Sequence, residues 1–446
     1  MTLALQDARR ARAEPWPQPN IPELILPDFD NAVLRLIGSL AQFNVPSEDA
    51  MRPTDIMRGS PPPPEAQVTK ANWRTYPAIR WGFTHARELL PTAAIRRAAQ
   101  QSSLVEAQRE LTGLAFTTPE GQPTTIAETL QATDADALIV MHRGVILTEW
   151  YGEGMSETTP HMLCSVSKSI CGTLGGVLAA RGLIDPSDKV TSYLPELAGT
   201  AYDGCTVRHL LDMQVGIRFE EDYDDPNGDV TRYRHSSGWD VAPPGVPAGD
   251  QRGFLTTLRA SGKPHGKLFH YVSPNTDVCG WIYERACGAP YAKILSDYLW
   301  QPMGAAEDAS ITLDSMGAGR FAGGISATAR DLARFGEMIR CRGLVQGRQV
   351  VPGAWIDDVH DAGDRQAWVD GDLAFVFPKG NYRSNWYTVD VKRRDLAAVG
   401  IHGQWIYVDV VSDTVIVKLA TQGKAMDIAQ DHRWLAGFRA ITAHLS

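Results

Sequence analysis

Cys164-Ser165-Val166-Ser167-Lys168-Ser169-Ile170 opens the stretch whose reading decides the fold. Small and apolar residues run on from there to Arg181, and Gly182 stops them. Glycine after a basic last turn is a normal C-terminal signal, so a helix is expected over 165–181. At its start Ser165 and Lys168 stand three residues apart, on one helix face. A serine hydroxyl is a poor nucleophile until a base takes its proton. A lysine is such a base only when desolvation or nearby positive charge lowers its pKa. A helix N-terminus adds partial positive charge and free backbone N–H groups, suited to a developing oxyanion. Ser-x-x-Lys opening a helix is therefore a coherent nucleophile–base unit. The spacing alone is a weak signal, since chance supplies about one such pair in a chain this long. Ser165 as a plain N-cap, with Lys168 as a solvated surface lysine, fits the same residues.

Outward from this helix the pattern changes to strands. Upstream, Ala137–Val140 and Val145–Leu147 flank Arg143-Gly144 and read as a hairpin. Downstream, residues 186 to about 365 carry mostly helical patterns with long polar loops. Strand signals return over Leu396–Ile401, Trp405–Val411 and Thr414–Leu419, with Ser412-Asp413 as a turn, and Asp427–Leu445 reads as a helix. The order strands, helices, strands, helix implies an α+β fold. The two outer parts, 67–184 and 366–446, are expected to build one antiparallel sheet flanked by helices, with 185–365 as an inserted, mostly helical domain. Residues 1–66 form a Pro-rich extension ending in Pro61-Pro62-Pro63-Pro64, with one amphipathic helix expected over Asp30–Phe43.

Composition narrows the partners. The chain has 446 residues, with 43 Lys+Arg against 52 Asp+Glu and a net charge of −9. It has no Lys/Arg cluster interleaved with aromatics, which argues against nucleic acid. No run reaches the ~20 apolar residues of a membrane span. The N-terminal residues do not resemble a secretory signal, which makes the cytoplasm the default compartment. Six cysteines without a C-x-x-C read as buried thiols, and eleven histidines without H-E-x-x-H give no zinc site. No metal and no cofactor are expected.

Two further stretches carry chemistry. Phe269-His270-Tyr271-Val272-Ser273-Pro274-Asn275 precedes a helix-like run, Thr276 to Ala286. A tyrosine at such a loop mouth can pass protons between serine, lysine and leaving group, or simply pack. Val399-Gly400-Ile401-His402-Gly403-Gln404 heads a strand, where a strand-edge N–H suits a second oxyanion donor. An ordinary hairpin with a satisfied histidine fits it too. Glu220, Glu221, Asp222, Asp224, Asp225 and Asp229 crowd around Tyr223. They are either an acidic lip for an ammonium group or a solvated loop.

Together these motifs resemble the serine β-lactamase and penicillin-binding-protein-like hydrolases, in their class C and esterase branch. Gly182-Leu183-Ile184-Asp185, Thr206–Leu211 and Gly323–Ala333 add to the likeness. Within the branch, Ser165–Thr173, Glu221-Asp222-Tyr223, Ser273–Val278, Arg87–Ala93 and Gly400–Gln404 are similar to the 6-aminohexanoate-dimer hydrolases, the nylon-oligomer-degrading enzymes. The resemblance implies a β-lactamase-like fold. It implies Ser165 as nucleophile, Lys168 as base and Tyr271 as proton shuttle. It also implies the backbone N–H groups of Ser165 and Ile401 as oxyanion hole, and Tyr223 and Tyr387 as substrate-binding aromatics.

The chain departs from that pattern in three places. The Lys-Thr-Gly triad of β-lactamases is replaced by Ala398-Val399-Gly400, or in another register by Ile401-His402-Gly403. This removes the cation that pairs with a β-lactam carboxylate. Ser273 stands where β-lactamases have Asn, and Arg234 where some nylon-oligomer hydrolases have an acid. The expected activity is hydrolysis of short carboxylic esters and linear amides such as 6-aminohexanoate oligomers, through an acyl-enzyme. The alternatives are a β-lactamase, a D-amino-acid peptidase, or an inactive binding or assembly homologue. The expected partner is a small-molecule amide or ester. The resemblance and the N-terminal helix are also compatible with a homodimer.

Overall fold

The structure, a computed structural model, describes residues 55–245 and 249–446. The helix expected over Asp30–Phe43 lies outside them. Eight strands form the main sheet: β1 (Val105–Glu106), β2 (Ala135–His142), β3 (Val145–Tyr151), β4 (Asn381–Arg383), β5 (Trp386–Asp390), β6 (Asp395–Gly400), β7 (Gln404–Asp409) and β8 (Thr414–Ala420). Their spatial order is β4-β5-β6-β7-β8-β2-β3-β1. All pairs are antiparallel except β1 with β3. Strands from both outer parts of the chain thus meet where β8 pairs with β2, Val417 opposite Ile139. The β2–β3 hairpin turns at Arg143 (φ 50°) and Gly144 (φ 79°), two successive left-handed residues that match the twist of the strands they join.

Side chains alternate across the sheet, yet both faces are covered. Ala137, Ile139 and Met141 enter one core with helices α1 (Val166–Ala180) and α3 (Ala329–Arg340). Leu138 and Val140 enter the other, under α4 (Ile428–Leu445) with Trp434 and Phe438. Two covered faces explain why apolar residues stand at successive positions along these strands, although they were expected to alternate. Truncating Phe438 to Ala would cost about 3–5 kcal/mol, the usual range for a buried aromatic.

Two parts of the chain sit differently from the expected boundaries. Ile56 already packs with Val68, Trp73, Ile79 and Phe83, so the packed body begins before residue 67. Helix α3, inside the segment 185–365, packs on β2, β7 and β8, so that segment returns to the sheet before it ends.

A second, four-stranded antiparallel sheet runs Thr92–Ile95, Ala309–Thr312, Ile325–Ala327, His161–Met162 in spatial order. Its last strand delivers the chain to α1, and Leu163 N–H is held by Ile325 O at 2.9 Å. Helix α2 (Ser273–Cys287) packs against α1 from the other side. No described helix is long and apolar enough to cross a membrane.

Candidate active site

Between His161–Met162 and α1 the chain turns sharply at Cys164, whose φ is 46°. A non-glycine residue in that region costs about 1–3 kcal/mol and is kept where the surroundings over-determine it. The turn places Ser165 at the N-cap, but its side chain makes no capping bond. Lys168 Nζ donates to Ser165 Oγ instead, at 2.7 Å, and to the carbonyl of Ala322 at 2.8 Å. Lys168 is 2% exposed. The reading of a plain cap beside a surface lysine is therefore set aside: α1 is buried on all sides, and its first turn has no solvent to offer an amine.

Burial brings the Lys168 amine down to about 8, while Glu221 and Asp277 pull it upward and Arg320 pushes it further down. A neutral amine at 2.7 Å from a hydroxyl can receive its proton. Tyr271 lies two residues ahead of α2, which starts at Ser273 because Pro274 is tolerated in a first turn. Its hydroxyl reaches Ser165 and Tyr387, and its ring centroid is 5.1 Å from Lys168 Nζ. Burial and the Glu221 charge hold the phenol well above its ordinary range, so it is a neutral proton donor.

The two backbone N–H groups expected as oxyanion donors lie on different elements. Strand β6 ends at Gly400, paired with Gln404, and a tight turn carries Ile401, His402 (φ 61°) and Gly403 (φ 87°). Among the described residues neither Ser165 N–H nor Ile401 N–H is taken by a backbone acceptor. A Cβ at Gly400 would stand 2.6 Å from Leu163 O and 3.0 Å from Ser165 N, so only glycine lets the strand end come this close. His402 is structural. Its Nδ1 bonds Gln422 O at 2.7 Å, and burial holds the imidazole at about 4, uncharged.

Ser165 opens onto a cleft of about 370 Å³. One wall is apolar, with Leu373, Phe375, Val376, Phe377, Met426 and Ile428. Among the described residues its charged lining groups are Glu220, Glu221, Asp222, Asp372 and Asp431, with no lysine, arginine or histidine. Tyr223 and Tyr387 both line it. Tyr223 donates to Glu221 Oε1 at 2.8 Å, and Tyr387 stacks at 6.5 Å from Tyr271. Ser273 is bound to Glu221, with its N–H at 2.9 Å from Oε2 and its hydroxyl on Oε1. Of the acidic loop only Glu220, Glu221 and Asp222 line the cleft; Asp224, Asp225 and Asp229 do not. Arg234 is absent from the lining and pairs with Asp240 at 2.9 Å.

The profile of the beta-lactamase family matches residues 123–438. The chain belongs to the beta-lactamase family. A curated 6-aminohexanoate-dimer hydrolase of Paenarthrobacter ureafaciens is 42% identical over 355 residues, 80% of this chain and 88% of that one. A solved structure from Bacillus anthracis, with the provisional name 6-aminohexanoate-dimer hydrolase, superposes with a TM-score of 0.78. It is 25% identical and is matched over 86% of this chain and 98% of its own. A family VIII carboxylesterase shares the fold, with a TM-score of 0.53 at 14% identity over 70% of this chain and 96% of its own. The protein is thus a serine hydrolase of the beta-lactamase fold, from a family that hydrolyses amides and esters.

Several groups around the hydrolase's cleft escaped sequence reasoning. Ala322 contributes only a carbonyl, which no side-chain pattern reveals. Asp372 and Asp431 enter from the segment before β4 and from α4, far in sequence from Ser165. Asp277 sat inside the quoted Ser273–Val278 stretch, yet nothing in one sequence ties it to Lys168.

Proposed function

We propose that this hydrolase cleaves short carboxylic esters and linear amides with an amine end, such as 6-aminohexanoate oligomers, through an acyl-enzyme on Ser165. The observation that carries the reading is the 2.7 Å contact of Lys168 Nζ with Ser165 Oγ, opening on a cleft whose charged lining groups are all carboxylates. Ser165 Oγ attacks the substrate carbonyl as its proton passes to Lys168. The new Oγ–C bond leaves an oxyanion between the N–H groups of Ser165 and Ile401. As the tetrahedral intermediate collapses, Tyr271 gives its proton to the leaving amine or alcohol and is reprotonated from Lys168. Water then attacks the acyl ester, its proton returning through the same pair, and Ser165 is released.

The apolar wall suits a methylene chain. Glu220, Glu221 and Asp222, the lining carboxylates not engaged by His270 or Lys418, suit an ammonium group at its end. The absence of a lining cation among the described residues disfavours a β-lactam, whose carboxylate would meet only like charge there. It equally disfavours a D-amino-acid peptidase reading with a free C-terminal carboxylate. An inactive binding homologue would not need the buried amine beside Ser165. We place the enzyme in the cytoplasm, where it would take small-molecule substrates, including nylon oligomers, and assemble at most as a homodimer.

The decisive test is Ser165→Ala with p-nitrophenyl acetate and butyrate. Turnover should vanish while the unfolding temperature holds; undiminished esterase activity would refute the assignment. Incubation with the linear 6-aminohexanoate dimer should release free amine. No release at high enzyme concentration would restrict the function to esters, and rapid nitrocefin turnover would favour a β-lactamase.

A further inference from the structure

We propose that Asp277 is a positioning residue for Lys168, acting through the backbone of Ala322. The inference rests on Lys168 being the base of the proposed reaction. A neutral primary amine has two N–H groups and one lone pair, and to accept the Ser165 proton it must turn the lone pair toward Oγ. A carbonyl can only accept. The Ala322 carbonyl, 2.8 Å from Nζ, therefore parks one N–H and limits rotation about the Cε–Nζ bond.

Ala322 belongs to no helix or strand. What fixes it is Asp277, whose Oδ1 accepts the Ala322 N–H at 2.9 Å. The other oxygen, Oδ2, accepts the hydroxyl of Tyr233. Asp277 stands on α2, six residues after Tyr271. One carboxylate thus links the helix that carries the tyrosine to the loop that holds the lysine.

The carboxylate is 1% exposed, and among the described residues it has no ion pair. Arg320 and Lys168 stabilise the carboxylate through space, but the Arg320 guanidinium makes its contacts elsewhere. It lies 4.2 Å from the Tyr233 ring centroid and 4.1 Å from that of Trp239, and it donates to Ser237. A buried carboxylate without a direct ion pair is costly even with Arg320 and Lys168 nearby, and a neutral acceptor would hold the Ala322 N–H as well. The charge has a second effect. With Glu221 it opposes the burial and the Arg320 charge that push the Lys168 amine down, and Cys164 and Tyr271 are the other titratable groups facing the site. Asp277 itself is pushed up to about 7 by burial.

The test measures kcat and KM for p-nitrophenyl butyrate from pH 5 to 10 in the full-length enzyme and in Asp277→Ala, Asp277→Asn and Lys168→Ala. Asp277→Ala should lose about 10–10²-fold in kcat with KM changed less than about threefold, the cost of a misplaced catalytic group. Asp277→Asn can keep the Ala322 bond with its amide oxygen and turn its NH2 to Tyr233. It should retain kcat within about fivefold and move the acid limb of kcat/KM down by about half a unit to one unit, because removing a negative charge makes Lys168 easier to deprotonate. Should Asp277→Ala not fold, the Asn variant decides alone through that limb. An unmoved limb in Asp277→Asn, or wild-type kcat in Asp277→Ala, overturns the proposal. An active Lys168→Ala would instead show that the base assignment beneath it is wrong.

Discussion

Each face of the main sheet covers one buried lysine. Lys168 stands on α1, on the side of α3; Lys418 stands on β8 and points to the α4 side, its Nζ 5.1 Å from the Trp434 ring centroid. Burial is the largest cause of the downward shift in both, and both come to about 8. Both also adjoin the cleft, since a Cβ on the cleft-lining Gly403 would lie 2.7 Å from Lys418 Nζ. They differ in partners. Lys168 has a hydroxyl at 2.7 Å and a carbonyl at 2.8 Å. Lys418 makes no hydrogen bond among the described residues and is balanced only through space by Asp431, Asp136 and Asp134. Desolvation makes an amine able to be neutral near pH 8, but the hydroxyl within reach decides whether its lone pair does chemistry.

The sharpest way to break this contrast is to replace both lysines by methionine. Lys168→Met should lower kcat for p-nitrophenyl butyrate by about 10³-fold, near the middle of the range for loss of a general base. Equal losses in Lys418→Met would erase the distinction. Next, Gly400→Ala leaves Lys168 untouched but drives a Cβ toward Leu163 O and Ser165 N. It should cost about 10²-fold in kcat with a smaller change in KM, the scale of a lost oxyanion donor. Steady-state kinetics that show wild-type kcat would mean that the β6 end does not shape the site.

The pH profile separates the lysines more finely. If Lys168 is the base, as proposed, the active form needs its neutral amine, so kcat/KM should fall about tenfold per unit below pH 8 and level off above it. Lys418→Met should keep that limb in place and kcat within about twofold. Its effect belongs in stability. The folded pKa of Lys418, about 8, lies below the ~10.4 of an unfolded lysine, so the wild-type penalty is full below pH 8 and fades as pH rises toward 10.4. Lys418→Met should therefore gain stability in urea unfolding at pH 7, about 1–3 kcal/mol at ~1.36 kcal/mol per pKa unit once the lost attraction to Asp431, Asp136 and Asp134 is set against it. The gain should shrink by pH 10, and a loss would mean that the lysine–carboxylate cluster is stabilising.

Local patterns were legible where long elements carried them. Helix α1 was expected over 165–181 and runs Val166–Ala180 between Ser165 and Arg181 as caps. Strands β2, β3, β6, β7 and β8 and helix α4 lie close to their expected places. Strands β4 and β5 went unread: the first is only three residues long, and the Ser384-Asn385 turn that joins them is a weaker hairpin signal than Asn-Gly. The second sheet was also unread, because strands of two to four residues are too short for a period to show. At the site, Ser165, Lys168 and Tyr271 were legible because side-chain identity carries their chemistry. Ala322 was not, because every residue has a carbonyl.

By itself the chain determined which groups can react: a hydroxyl and an amine one helical turn apart, a phenol ahead of a second helix, and a glycine at a strand end. It also determined the apolar runs that make a sheet with two covered faces. Only the tertiary structure decided that Lys168 is dry and Lys418 without a hydrogen-bond partner among the described residues, that Gly400 touches the Ser165 backbone, and that Asp277 and Ala322 stand behind Lys168. Distances between segments over a hundred residues apart depend on how whole layers pack, and burial is a property of everything around a group rather than of its neighbours in the chain.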